Sequence, residues 1–262
     1  MKDDLGNRMK TNFEDRTRYF LPRRTYTIIR CDGKAFHTYC SGMKRPYDEY
    51  FMKIMNLTTK YLCENIQGCQ FGYVQSDEMS LLLTDFATIT TDAWFDGNIQ
   101  KMCSVSASIA SSVFNHLALA IKCSNDEFDR ALDIITNHNI AFFDSRVFTI
   151  PDPTEVENYF IWRQKDAVRN SIQMTAQSLY SHKELHGKNT SELQEMCFQK
   201  RTNWNDMPDG FKRGRLVSKT RFDDEGLDIL EDDPSYNKWV IQDSFDFLKE
   251  REKLTWLIPK IT

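Results

Sequence analysis

One run of residues limits the folds open to this chain: Tyr26-Thr-Ile-Ile-Arg-Cys-Asp32, followed at once by Gly33. It is apolar and β-branched from Tyr26 to Ile29, which reads as a buried strand. It ends on a carboxylate, and a helix-like segment follows. A strand holds such a carboxylate rigidly, and Gly33 lets the backbone come close to an ion or a phosphate. Taken alone, Asp-Gly more often makes only a turn.

A second stretch shifts that balance. Phe71 to Leu83 reads as two short strands around a tight turn at Gln75-Ser76-Asp77-Glu78, a hairpin with acids at its tip. Ser and Asp are ordinary turn residues. However, a strand ending in Asp32 and a hairpin tipped by Asp77 can lie side by side in one sheet. Two carboxylates would then share a pair of metal ions about 3.5–4 Å apart, the arrangement that serves in-line phosphoryl transfer.

The rest of the chain supplies the layers around that sheet. Residues 1–24 are polar and charged and read as one surface helix ending before Pro22. After a loop with Gly42 and Pro46, helical spacing runs from about Tyr47 to Asn65, through Tyr50, Phe51, Ile54, Met55 and Leu57. A second helix is expected from near Gly97 to about Lys122. Its small residues, Ser104 to Ser112, suit close packing on a sheet. Phe142 to Ile150 reads as a strand stopped by Pro151 and Pro153. Glu155 to Tyr180 reads as a long helix, and Thr190 to Arg201 as a short one. His182 and His186 are four apart, but the acid between them, Glu184, is misplaced for a His-Glu-x-x-His metal motif, and the segment reads as a loop. The order of elements gives an α/β layer, in the broad α+β sense, with an antiparallel or mixed sheet flanked by helices and a helical C-terminal part.

Charge divides the C-terminal third. The 262 residues carry a formal charge of −4, mild evidence against a nucleic-acid partner. Yet Lys200 to Arg221 holds seven basic and two acidic residues, whereas Phe222 to Thr262 holds eleven acidic and five basic. We therefore expect a catalytic domain over 1–221 and an acidic tail over 222–262. Asp223 to Asp233 reads as flexible, and Trp239 to Trp256 as a last element that packs back. Glycines and an aromatic around Lys212, Arg213 and Arg215 suit a loop that meets a phosphate backbone. Seven Cys without a Cys-x-x-Cys pair fit a reducing compartment. No apolar run looks long enough for a membrane span and no signal peptide is visible, so the expected location is cytoplasmic, with no membrane partner.

Three ordered blocks carry a resemblance. Arg30-x-Asp32-Gly33-x-x-Phe36-His37, then Gln75-Ser76-Asp77-Glu78, then Tyr159-Phe-Ile-Trp162-Arg163-Gln164-x-Asp166-x-x-x-Asn170 resemble the tRNA-histidine guanylyltransferase family, from about Tyr26 to Val217. The resemblance implies a polymerase-palm-like fold. It implies Asp32 and Asp77, with the Gly33 carbonyl, as ligands of two Mg2+ ions, and Glu78 beside them in the catalytic set. It implies a nucleotide site made by Arg30, Lys34, Ala35, Phe36, His37, Lys44, Arg45, Asp48 and Ser76. Here Arg45-Pro46 stands where the family has Lys-Pro, and the adjacent Lys44 can substitute. Arg169 and Asn170, with Lys212, Arg213 and Arg215, are the candidate tRNA contacts. The partners implied are tRNA and nucleoside triphosphates (ATP and GTP among them), with assembly as a homotetramer.

The chemistry implied has two steps: ATP activates a 5′-monophosphate on tRNA, and the 3′-hydroxyl of a nucleoside triphosphate then displaces AMP. One departure bears on specificity. Val168-Arg169-Asn170-Ser171 stands where eukaryotic guanylyltransferases carry His-Ile-Asn-Asn. That points to the guanylyltransferase-like branch, a 3′-5′ polymerase that repairs truncated tRNA 5′ ends by template-directed pairing. The alternative is dedicated addition of guanosine to tRNA-histidine. Outside the class stand a nucleotide cyclase and an inactive RNA-binding palm module.

Overall fold

The computed structural model describes residues 4–123, 140–220 and 237–261. Six strands form one sheet: β1 (Tyr26–Gly33), β2 (Cys69–Gln75), β3 (Glu78–Leu83), β4 (Phe143–Ile150), β5 (Arg215–Lys219) and β6 (Trp239–Gln242), in the order β4-β1-β3-β2-β5-β6. Every pairing is antiparallel. The α-helices are α1 (Asp4–Met9), α2 (Phe36–Tyr39), α3 (Glu49–Asn65), α4 (Ile99–Cys123), α5 (Pro153–Gln177), α6 (His182–Leu185), α7 (Thr190–Gln199), α8 (Asp209–Arg213) and α9 (Arg251–Leu257), joined by short π- and 3-10 segments such as Lys10–Glu14 and Trp204–Asp206.

The sheet is covered on both faces, which is why its central strands read as almost unbroken apolar runs. Ile29, Cys31, Met79, Leu81 and Val74 meet α3 and α4 on one face. Tyr26, Ile28, Phe71, Tyr73 and Leu82 meet α5 and the C-terminal segment on the other. Asp48 starts α3 by accepting the Phe51 amide at 3.0 Å. At Gly72, where α3 lies on β2, a Cβ would come within 2.6 Å of the Cys63 sulfur. Helix α5 begins at Pro153 rather than Glu155, because Asp152 accepts the Thr154 amide at 2.8 Å and proline suits the first turn.

Two expectations change. Helix α4 contains a stretch, Ile99–Ala120, that is long and apolar enough to cross a membrane by length and composition. In the fold its Met102, Ser106, Ala110 and Phe114 are buried, and the Ser106 hydroxyl meets that of Ser145 on β4 at 2.7 Å. His182–Leu185 is a helical turn rather than a loop, closed by a reciprocal cap between Ser181 and Glu184.

The tail packs back on the sheet, as its apolar residues suggest. Beyond residue 221, β6 extends the sheet, and Phe245, Phe247, Leu254 and Ile258 are buried in the α5-side core. The stretch Asp223–Asp233 lies outside the described residues. Phe247 is fully buried against Tyr73 and Phe160. Phe247→Ala is therefore expected to lower stability by about 3–5 kcal/mol in chemical denaturation. An unchanged midpoint would mean that the segment beyond 221 is separate from the core.

Candidate active site

The site is set by strand register. Asp32 on β1 lies opposite Glu78 on β3 and opposite Asp144 on β4. The Gly33 amide donates to the Asp77 carbonyl at 3.1 Å, so the hairpin tip is tied to the end of β1. Ser76, between β2 and β3, takes a positive φ of 45°, which the two-residue turn demands. Gly33 has no room for a side chain, since a Cβ would sit 2.3 Å from the Phe36 ring.

These acids are not equivalent. Burial pushes the Asp77 carboxyl up to about 6, and the nearby Asp32 and Glu78 push the same way. Its own amide and the Ser76 hydroxyl only partly oppose them. Asp32 is about a third exposed and has Arg146 at 3.7 Å. Glu78 is turned away: both of its oxygens bind the buried Arg163, at 2.7 and 2.6 Å. Glu78 thus ties the hairpin to α5 through Arg163. Arg163 also reaches Asp166 at 3.1 Å, and Arg169 pairs with Asp166 in turn.

A cavity of about 400 Å³ opens beside the hairpin tip. Of the sequence-predicted nucleotide residues, Phe36, His37, Lys44, Arg45, Asp48 and Ser76 line it, together with Asp77. Phe51, Met52, Met174 and Phe211 give it an apolar part. Asp48 also organises the wall, accepting from the Lys44 amide at 3.3 Å. Asn170, expected at tRNA, is brought into this cavity instead. Lys34 and Ala35 form the turn after β1, where Ala35 has a φ of 55°. Arg30 lies on β1 opposite Ser80 and Arg146, outside the residues that line the cavity.

The chain matches a family model described as tRNAHis guanylyltransferase over residues 6–151. A solved bacterial tRNA(His) guanylyltransferase-like protein in complex with ATP is 36% identical, with a TM-score of 0.81, covering 98% of this chain and 100% of that one. A bacterial complex with GTP is 34% identical, TM-score 0.76, with the same coverage. The tRNA(His) guanylyltransferase of Saccharomyces cerevisiae is 28% identical over 208 residues, 74% of this chain and 82% of that protein. The chain belongs to the tRNAHis guanylyltransferase family. It is a nucleotidyltransferase of that family.

The donor set suits the magnesium that the family resemblance implies. Asp32, Asp77 and the Gly33 carbonyl offer only hard oxygen ligands. Asp77 is half-buried beside two other acids, a placement that costs free energy unless a cation joins it. Among the described residues no group of three or more His, Cys, Asp or Glu side chains forms a metal site; the expected set has only two such side chains.

The basic stretch expected at phosphate is held within the fold. Lys212 is 8% exposed and donates to the Asn205 carbonyl at 2.7 Å. Arg213 is held by Asp209 at 2.8 Å and Asp246 at 3.3 Å. Arg215 is 2% exposed and bonds Asn56 and the Gly210 carbonyl. Burial pulls its guanidinium down to about 10. A count of charges in sequence cannot show which way they point, and here α8 and β5 turn them inward. Sequence reading also missed Asp144, Arg146 and the role of Arg163. The spacing of Asp144 and Arg146, two apart on β4, was the signal that puts both on the Asp32 side.

A carboxyl raised above its ordinary 3.8 destabilises the fold in full above about pH 6, and the cost fades as pH falls from there to the ordinary value. Asp77→Asn should therefore raise the stability of metal-free protein near pH 7.5 by roughly 1–2 kcal/mol. That advantage should vanish by about pH 4. Thermal unfolding across pH checks it; equal midpoints at neutral pH would mean that Asp77 is not under this strain.

Proposed function

We propose that this nucleotidyltransferase adds guanosine to the 5′ end of tRNA(His), using ATP and GTP bound in the cavity beside Asp77. The observation that carries the reading is the convergence of Asp32, Asp77 and a nucleotide-sized cavity at one hairpin tip. Support comes from likeness to a protein solved with ATP, to one solved with GTP, and to relatives named for guanosine transfer to tRNA(His). Those names favour this reading over the template-directed repair expected from sequence.

The residues divide the work. The apolar part of the cavity, with Phe51 and Phe211, shields a base from water. Lys44 and Arg45 supply positive charge for a triphosphate, and the Ser76 hydroxyl and amide supply donors. Asp32 and Asp77, with the Gly33 carbonyl, would hold magnesium, which when bound stabilises negative charge on the reacting phosphates and lowers the pKa of the attacking hydroxyl. Glu78, locked by Arg163, keeps the hairpin tip fixed while those phosphates exchange partners. Assembly as a homotetramer and a cytoplasmic location belong to the same proposal.

One observation favours the repair reading: Val168-Arg169-Asn170-Ser171 lacks the family's His-Ile-Asn-Asn. In the fold Asn170 and Ser171 line the cavity, while Arg169 pairs with Asp166 at the surface. The readings separate on tRNAs lacking their first nucleotide, with the opposing base varied. Guanosine added to tRNA(His) whatever base lies opposite supports the proposal. Addition only of the Watson–Crick partner, on tRNAs of several specificities, would replace it with repair. Asp32→Ala should abolish either product, by at least about a thousandfold.

A further inference from the structure

The cavity accounts for only part of the charge at the end of the sheet. Side chains alternate along a strand, so Arg30 and Asp32 share one face of β1. Arg30 lies opposite Arg146, one row before Asp32 and Asp144. The Arg30 Nε is buried and has no hydrogen-bond partner among the described residues. Among the described residues, the half-exposed Arg146 meets Asp32 and Asp144 through long ion pairs, at 3.7 and 3.6 Å. Two guanidinium groups thus stand beside Asp32 with capacity left over.

Helix α5 sets an aromatic surface over the same strands. The Tyr159 hydroxyl meets that of Ser80 at 2.9 Å, and its ring packs on Phe148 of β4. Trp162 lies against Tyr159, with ring centroids 5.9 Å apart. The Arg163 guanidinium sits 4.3 Å from its indole, which fixes the ring. Even so, Trp162 is 52% exposed. An exposed indole held by Arg163 and Tyr159 is suited to stack a base, and Tyr159 links it to Ser80, the residue opposite Arg30.

We propose that Trp162, Arg30 and Arg146 receive the 5′-terminal nucleotide of the RNA, its base on Trp162 and its 5′-phosphate on the two arginines. This deepens the reading of the chain as an enzyme of tRNA 5′ ends and rests on it. The placement gives the two substrates separate seats. The free nucleotide lies in the cavity, along Lys44, Arg45, Ser76 and Asp77. The RNA end lies beside it, where Arg146 reaches Asp32. The two catalytic carboxylates then stand between the groups that must react.

The test compares two acceptor-stem hairpin RNAs, one with a 5′-monophosphate and one with a 5′-hydroxyl, by fluorescence anisotropy with the full-length protein. ATP affinity, measured separately, reports the cavity and the fold. The native protein should prefer the phosphorylated RNA about tenfold. Arg146→Gln and Arg30→Gln should erase that preference while ATP affinity stays within about twofold. Trp162→Ala should weaken both RNAs about tenfold, and Trp162→Phe should retain most of the binding. Arg146 is half exposed, so its variant keeps the test valid if Arg30→Gln does not fold. Equal binding of both RNAs by the native protein, or a preference that survives in Arg146→Gln, overturns the inference and leaves the tRNA reading standing. If the native protein binds neither RNA, the tRNA reading fails and this inference with it.

Discussion

Everything at the site depends on the register of β1 against β3. With Asp32 opposite Glu78 and the Gly33 amide on the Asp77 carbonyl, three acids meet at one end of the sheet. A slip of one residue would turn Arg30 and Asp32 toward the α3 and α4 core and carry Ile29 and Cys31 to the other face. Two kinds of contact oppose that slip. Apolar side chains pack on both faces of β1, and polar ones are claimed individually: Ser80 by Tyr159, Glu78 by Arg163.

The Glu78–Arg163 pair is buried, and burial of two charges contributes little net stability even when both are satisfied. Its effect is on orientation. It spends both Glu78 oxygens and ties α5 to the hairpin, so that Asp32 and Asp77 are left free to act together. Gln164, the next residue, extends the same link. It donates to the Phe245 carbonyl and accepts from the Phe247 amide, at 2.8 Å each. The segment after β6 therefore closes over the helix that positions the site. This explains why an acidic stretch of chain carries the buried rings of Phe245 and Phe247.

Much of this was legible in the sequence because local signals and tertiary needs agree. The apolar run before Asp32, the hairpin around Ser76-Asp77 and the spacing of α3 all name elements that the fold contains. Asp32 and Asp77 were legible as a pair for the same reason: a strand end and a turn tip have fixed directions. The direction of long basic side chains was not. Lys212, Arg213 and Arg215 look like a phosphate-binding loop in a linear count, yet each finds a carboxylate or carbonyl within the fold. Asn170 shows the same limit from the other side. Helical spacing puts it near Asp166 and Arg169, but only the tertiary position of α5 puts it in the cavity. Val168-Arg169-Asn170-Ser171, read as a mark of the repair branch, is outweighed by the relatives named for guanosine transfer.

Asp32 and Asp77 are held together, against their mutual repulsion, in a place suited to a divalent cation. The most direct measurement follows the thermal unfolding midpoint as Mg2+ is raised, with no nucleotide or RNA present, in the native protein, Asp32→Asn and Asp77→Asn. A cation that binds only the folded state raises the midpoint with its concentration. The account requires such a rise in the native protein and none in either variant. A native midpoint indifferent to Mg2+, or variants that respond as the native protein does, would contradict it.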